Sequence, residues 1–442
     1  MALPWVLVDR SVAFVVAEGS SSEKGNEACA IGGSSGLSPQ EAMAAMTPEP
    51  VVVAPPDVTR LSMQRRTPAD HLGCGVYGGE ISSTHKGLVV IYTGFYRPGN
   101  GGFSGDGRNL IYHSGGRPAC PPPPPRQGRL CYHCSSNAVS TVPPVPDSPG
   151  MKGLGNTGVV LRQSTGGDYC LAELITSFNP GFPEFELCVW SGSSTASTGG
   201  GQWIKTPVHL PLPENLCGPN HFFQIDMAFP LSSSQICWVD LLMGILVCNL
   251  SAPQGPEFEF ISLPVEHQLY LPENKRLQLN PEEFRSMCCV RSGAIKFVSL
   301  EVYSDKQVAA EQVTLKTCTL SPGFKTWEEG KSWSVGEIWA SESFKKMELP
   351  HLMLTCPVLS MNEDEVIYAN LNDIDYVDDV DEWGEIVGMD LVPKGHYRIE
   401  FDVLQNKVLK FWKSSTGDLS LLTPILLASD FSAHLQGPRT AT

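Results

Sequence analysis

Several short stretches of this chain have the residue types and spacing that chemistry uses. Gly153 to Gly158, GLGNTG, has the G-x-G-x-x-G spacing that cradles a pyrophosphate when it joins a strand to a helix. Here a Pro-rich connector precedes it and the strand-like VVLRQ follows, so the glycines read as a turn. Gly32 to Gly36, GGSSG, fits a nucleophile elbow in letters only, because no strand leads into its Ser/Gly-rich surroundings. Cys131-Tyr132-His133-Cys134 offers two thiolates to zinc, with Cys120, His113 or His133 to complete a tetrahedron. No second paired motif stands at a regular distance, so no metal is expected. The adjacent Cys288 and Cys289 point to opposite faces of any strand that holds them.

Asp373, Asp375, Asp378, Asp379, Asp381 and Glu382 form the densest acidic run. Val377 and Asp378 stand where an EF-hand loop needs a donor and a sharp-turn glycine. The run is therefore expected as a solvated loop between two strands, and as a place for a basic partner to dock. Pro121 to Pro125 followed by Arg126 matches P-x-x-P-x-R, in which Pro121, Pro124 and Arg126 would present a polyproline II ridge to an aromatic groove. The ten histidines show no H-E-x-x-H spacing. Asp226, Asp240 and His221 lie near predicted strand ends, and they are the groups a catalytic site would use. Asp240, in the most repeat-like segment, is expected instead to satisfy a turn or a backbone N–H.

Composition narrows the classes further. With 47 acidic against 31 basic residues the net charge is -16, which repels phosphate-rich partners, and no basic cluster opposes it; nucleic acid is not an expected partner. The longest uncharged apolar run, Leu241 to Leu250, is half of the roughly 20 residues needed to cross a bilayer. No membrane span is expected. Asp9 and Arg10 interrupt the apolar start PWVLVDRSVAFVV, so export is not expected either. The 14 cysteines fall in apolar runs where a reduced thiol packs as a small hydrophobe, which points to the cytoplasm or nucleus.

The elements that would position these groups are strands. Cys237 to Pro264 reads as a Trp-led strand, a Gly-containing apolar strand, a polar turn and an aromatic strand ending in Leu-Pro. Its parts recur. VVLRQ, DYCLAELI, FELCVWSG and WIKTPVHL form one quartet, and MCCVRSG, AIKFVSLEV, VTLKTCTL and WSVGEIW (Trp333 to Trp339) form another. A third partial copy runs through HLMLTCPVLSM, DEVIYANL, EIVGMDLV and HYRIEFDVL. Only Pro281 to Met287 reads as a short helix. Residues 1–150 mix strands with Gly/Pro/Ser loops, 151–404 form the repeated core, and 405–442 read as a tail. Repeats of four strands over roughly 40 to 50 residues predict an all-β, propeller-like fold with about six blades, because a lone four-stranded sheet cannot bury both faces. Tandem β-sandwiches are the alternative. Pairing of Trp5–Val16 with His396–Leu404 would close such a ring.

At these residues the chain resembles a plant, grass-expanded family known as domain of unknown function 1618. The resemblance is carried by PWVLVDR (4–10), APPDVTRL (54–61), DYCLAEL (168–174), ICWVDLLMGILVCN (236–249), FISLP (260–264), SGAIKFVSLEV (292–302) and GEIWASESF (336–344), with a family core over about 236–390. It implies a fold similar to the β-propellers that follow F-box motifs, and no established activity. The F-box helix bundle itself has no counterpart at the start of this chain, so a ubiquitin-ligase role is not expected. The expectation is an intracellular, non-enzymatic scaffold that binds another protein, without cofactor or metal. The alternative is a hydrolase or lyase with its site in a central channel.

Overall fold

The computed structural model describes residues 3–16, 43, 45–65, 78–93, 108–114, 139–143, 145, 151–153, 158–162, 168–178, 183–193, 201–217, 223–271, 273–276, 279–302, 308–323, 326–380, 386–414 and 425–435. Within these residues the chain is built almost wholly of antiparallel strands that fall into six units of four strands, five in the third, and the first two units share one hydrogen-bonded sheet.

Unit IV shows why such sequences make such sheets. Its strands are β13 (Met227–Pro230), β14 (Gln235–Asp240), β15 (Gly244–Asn249) and β16 (Glu257–Ser262), paired in chain order. Ile236 and Trp238 of β14, with Leu246 and Cys248 of β15, pack on one side; Cys237 and Val239, with Ile245 and Val247, pack on the other. Period-2 alternation in a wholly apolar strand thus fills two cores at once, so the unit must be sandwiched. Each fully buried Val, Leu, Ile or Phe contributes about 1.5–3 kcal/mol. Gly244 lets the sheet close, since a Cβ there would meet Ile261 O at 2.5 Å.

The other units repeat this plan. Unit II holds β4 (Gly78–His85), β5 (Leu88–Thr93), β6 (Arg108–His113) and β7 (Val139–Val142). In unit III, β8 (Met151–Gly153) and β9 (Val159–Arg162) share one edge of β10 (Asp168–Phe178), followed by β11 (Pro183–Ser193) and β12 (Trp203–Val208). Unit V holds β17 (Arg285–Cys289), β18 (Ile295–Leu300), β19 (Thr314–Leu320) and β20 (Trp327–Ser334). Unit VI holds β21 (Leu354–Leu359), β22 (Val366–Val380), β23 (Ile386–Asp402) and β24 (Lys407–Ser414).

Unit I closes the circle. It joins β2 (Thr47–Val51), β3 (Val58–Arg65) and β1 (Val6–Val16) to the last of the described strands, β25 (Leu426–Ser429). Val6–Asp9 of β1 pair antiparallel with β25, Ser11–Ala13 pair antiparallel with β4, and the other edge of β1 runs parallel to β3. Six apolar clusters fill the six seams, from I–II (Val8, Ile81, Ile91) round to VI–I (Trp5, Leu7, Val366, Tyr368, Leu426). Units and seams alternate without a break, so the fold is all-β and propeller-like.

Three expectations change. The partner of β1 is β25 and not His396–Leu404, which belongs to β23 inside unit VI. Residues 407–414 and 426–429, expected within a tail, are strands, because each completes a sheet whose edge would otherwise be bare. EIVGMDLV and HYRIEFDVL are one strand, β23: Pro393-Lys394-Gly395 makes a register shift opposite Asp373 and Ile374 instead of a turn.

Candidate functional site: a charged strap across one mouth of the ring

Asp226 and Asp240 come together where β13 begins and β14 ends. The Asp226 N–H donates to Val239 O (2.8 Å), which fixes the two segments side by side. Each carboxylate then holds the other's chain: Leu241 N donates to Asp226 Oδ2 (2.8 Å) and Gln224 N to Asp240 Oδ2 (3.0 Å), while Leu242 N donates to Asp240 Oδ1 (2.9 Å). Both acids are buried.

The cation that answers them comes from the 263–284 connection between units IV and V. Arg276, in the helical turn Glu273–Arg276, donates through Nη2 to both Asp226 oxygens (2.8 and 2.9 Å) and lies 3.6 Å from Asp240 Oδ1. Arg285, at the start of β17, donates through Nη1 to Leu241 O (2.9 Å) and His267 O (2.7 Å). Burial, and next the repulsion of Asp226 against the attraction of Arg276, leave the Asp240 carboxyl pushed up to about 6; burial also raises Asp226. Burial pushes Arg285 down to about 10. Two carboxylates sharing one guanidinium explain this balance, since each opposes the ionisation of the other.

The same connection is tied at its far end. Glu282, in the 3-10 turn Pro281–Glu283, pairs with Arg10 Nη1. Arg10 sits where β1 changes partner from β25 to β4, and the register shift between Val8 and Val12 aims its side chain inward. Its Nε donates to Ile81 O (2.8 Å), and Nη2 lies 3.8 Å from Glu80. Units I and IV face each other in a ring of six, so a connection bound to both lies across the mouth like a strap.

A second buried set joins the start of the strap to unit V. His267 places Nε2 3.1 Å from Cys318 Sγ and Nδ1 3.4 Å from Ser299 Oγ. This resembles an activated thiol in spacing alone. Burial pushes Cys318 up to about 12 and holds His267 below its usual value, so the thiol stays protonated.

The residues picked out by sequence fare unevenly. Asp226 and Asp240 meet, and Asp240 accepts backbone N–H groups as expected; His221 lies outside the described residues. Asp373, Asp375, Asp378 and Asp379 are not on a loop: they lie in β22, whose ladder with β23 continues beyond β21 and β24 as a two-stranded arm. The alternation of apolar residues with aspartates, which sequence reading took for a loop, is the period of that ladder. Asp375 pairs with Lys394 at 2.7 Å on its half-exposed surface. Pro121, Pro124, Arg126, Cys131 and Cys134 lie outside the described residues. Among the described residues no group of three or more His, Cys, Asp or Glu could hold a metal ion, and no helix is long and apolar enough to cross a membrane. Sequence alone does not single out Arg10, Arg276 or Glu282; the one signal for them is the charge of Arg10 inside an apolar strand.

Comparison with solved structures finds likenesses of low identity. The Nup133 beta-propeller domain of Vanderwaltozyma polyspora is 11% identical over 76% of this chain and 68% of its own, with a TM-score of 0.35. A family 43 beta 1,3 galactosidase is 9% identical over 69% of this chain and 90% of its own (TM-score 0.31), and a family 117 glycoside hydrolase of Zobellia galactanivorans is 12% identical over 67% and 78% (TM-score 0.29). No curated protein matches the chain. Residues 238–368, from Trp238 of β14 to Tyr368 of β22, match the family described as protein of unknown function, DUF1618.

Proposed function

We propose that this chain is an intracellular interaction scaffold that binds another protein, and that it performs no reaction. The observation that carries the reading is the state of the strap. Asp226 and Asp240 are consumed by Arg276 and by three backbone N–H groups, as a structural tie requires. What is left to a partner is the arm of β22 and β23, where Asp373 and Asp375 stand on an extension without β21 or β24 beside it, and Asp378 and Asp379 continue it. An intracellular place agrees with the absence of any disulfide among the described cysteines.

The test compares the full chain with the variant in which Asp373, Asp375, Asp378 and Asp379 are all Asn, by quantitative crosslinking capture in cells. A reproducible partner whose recovery falls at least about tenfold in the variant supports the reading; an equal set of proteins on both chains overturns the arm as the contact. One observation favours the alternative of a hydrolase or lyase: a carboxyl raised to about 6 in a buried charged cluster is the kind of group that catalysis uses. That reading requires turnover of a glycoside, ester or uronate that Asp240→Asn abolishes.

A further inference from the structure

The seam between units II and III is apolar, lined by Leu88, Val90, Ile111, Val160 and Leu171, yet a carboxyl stands in it. Glu173 of β10 and Asn109 of β6 face each other there; Glu173 is 9% exposed and Asn109 3%. Asn109 Nδ2 donates to Glu173 Oε1. Among the described residues no cation forms an ion pair with Glu173, whereas the other buried carboxylates each have one: Asp226 and Asp240 have Arg276, and Glu400 has Lys410. The amide supplies the second clue: Asn109 Oδ1 is buried and accepts no hydrogen bond. A buried acceptor left empty beside a carboxyl is satisfied at once when that carboxyl carries a proton, because the acid O–H then donates to Oδ1 while Nδ2–H donates to Oε1. Acid and amide close a two-bond ring, and the desolvation cost of an unpaired buried anion disappears.

We propose that Glu173 and Asn109 form a proton-operated joint between the second and third units, closed by the neutral acid and loosened when Glu173 ionises. Burial pushes the Glu173 carboxyl from 4.5 up to about 7, with the Asn109 hydrogen bond acting the other way. Other ionisable groups on this seam are Tyr169, Cys188, Glu186 and Lys205 from unit III and Glu80, His85, Tyr92 and His113 from unit II, with Tyr92 opposite Asn109 and Glu80 opposite Tyr92. Cys188 stands opposite Glu173 on β11, and Lys205 stands opposite Cys188 on β12. His113 meets the Tyr169 ring edge-on at 5.6 Å, and its Nε2 lies 3.2 Å from Ser140 Oγ. Close to the joint, Ser82 and Ser83 donate to Gly158 O, which ties β4 to the start of β9 beside Glu173.

The sign follows from proton counting. Between the ordinary glutamate value and about 7 the native state binds more protons at Glu173 than the unfolded chain does, so stability is full below that window, falls across it and is level above it. Thermal and urea unfolding of the full chain and of Glu173→Gln, from about pH 5 to about pH 8.5, reads this directly. The native chain is expected to lose on the order of a hundredfold in its folding constant relative to the variant across the window. Curves that stay parallel overturn the joint. Should Glu173→Gln fail to fold, the native chain labelled with 13C only at glutamate side chains decides, since Asp240 is then silent. One resonance titrating near neutrality supports the joint, and titration of every glutamate below about pH 5.5 overturns it.

Discussion

Arg276 is the residue on which the strap's chemistry turns. Its guanidinium serves two buried carboxylates, with Nη1 still unpaired and buried, so the cluster is satisfied on the acid side and short on the base side. Arg276→Leu removes the only cation in direct contact with Asp226 and Asp240 among the described residues, and leaving a buried charge without its partner costs about 3–5 kcal/mol. The pH dependence separates this from simple loss of packing. Asp240, raised to about 6 above its ordinary 3.8, contributes stability that is full below 3.8 and falls as the pH climbs through 6. In Arg276→Leu both acids are held higher still, so the deficit in urea unfolding is expected to be largest near pH 8 and to shrink near pH 5. The triple change Asp226→Asn, Asp240→Asn, Arg276→Leu is expected to recover part of the loss near pH 8. A deficit equal at both pH values would mean that Arg276 acts through its methylenes alone.

At the scale of elements, strands were legible where alternation was dense and local signals agreed. The quartet from VVLRQ to WIKTPVHL is β9 to β12, and the Trp-led stretch from Cys237 is β14 to β16. The Trp that opens WSVGEIW, like the Trp of WIKTPVHL, predicts a fourth strand, yet β20 ends at Ser334 and a helix, α1 (Val335–Ala340), follows. The reason was in plain sight as S-x-x-E. Ser334 Oγ accepts from Glu337 N (3.1 Å), and the Glu337 carboxylate accepts from Ser334 N (2.8 Å), a capping box that fixes the chain's entry into the helix. The Ser334 backbone N–H in turn holds the Glu337 carboxyl below its usual range. Val335 and Ile338 of α1 enter the V–VI core, which ties the cap to the seam. Ser334→Ala is expected to cost about 1 kcal/mol in urea unfolding, and Ser334→Asp to keep most of the stability. A neutral Ser334→Ala would show that the seam alone sets the helix.

For the whole molecule the deciding contact joins the two chain ends, and this was the part least legible in advance. LLAS at 426–429 is four residues long with no alternation to betray it, and its partner Val6–Asp9 lies more than four hundred residues away; pairing over such a distance is set by which edge remains bare, not by local pattern. Three ties make β25 a latch. Its ladder with β1 closes unit I, Leu426 packs in the VI–I seam with Trp5, Leu7 and Tyr368, and Ser429 Oγ donates to Thr84 Oγ1 of β4 (2.8 Å). Just beyond it, Phe431 is buried in the I–II seam. A chain ending at residue 424 therefore loses an edge of β1 and an apolar contribution to two seams on either side of unit I, while β14 and β15, opposite in the ring, keep every partner. Amide exchange is expected to rise first in β1 and β21, with β14 and β15 still protected, and the unfolding midpoint is expected to fall. A synthetic peptide of residues 422–435 added in trans should restore protection to Val6–Asp9, since the missing strand supplies ladder and side chains together. Uniform loss of protection around the ring would instead make the six units one cooperative body that no single seam can open.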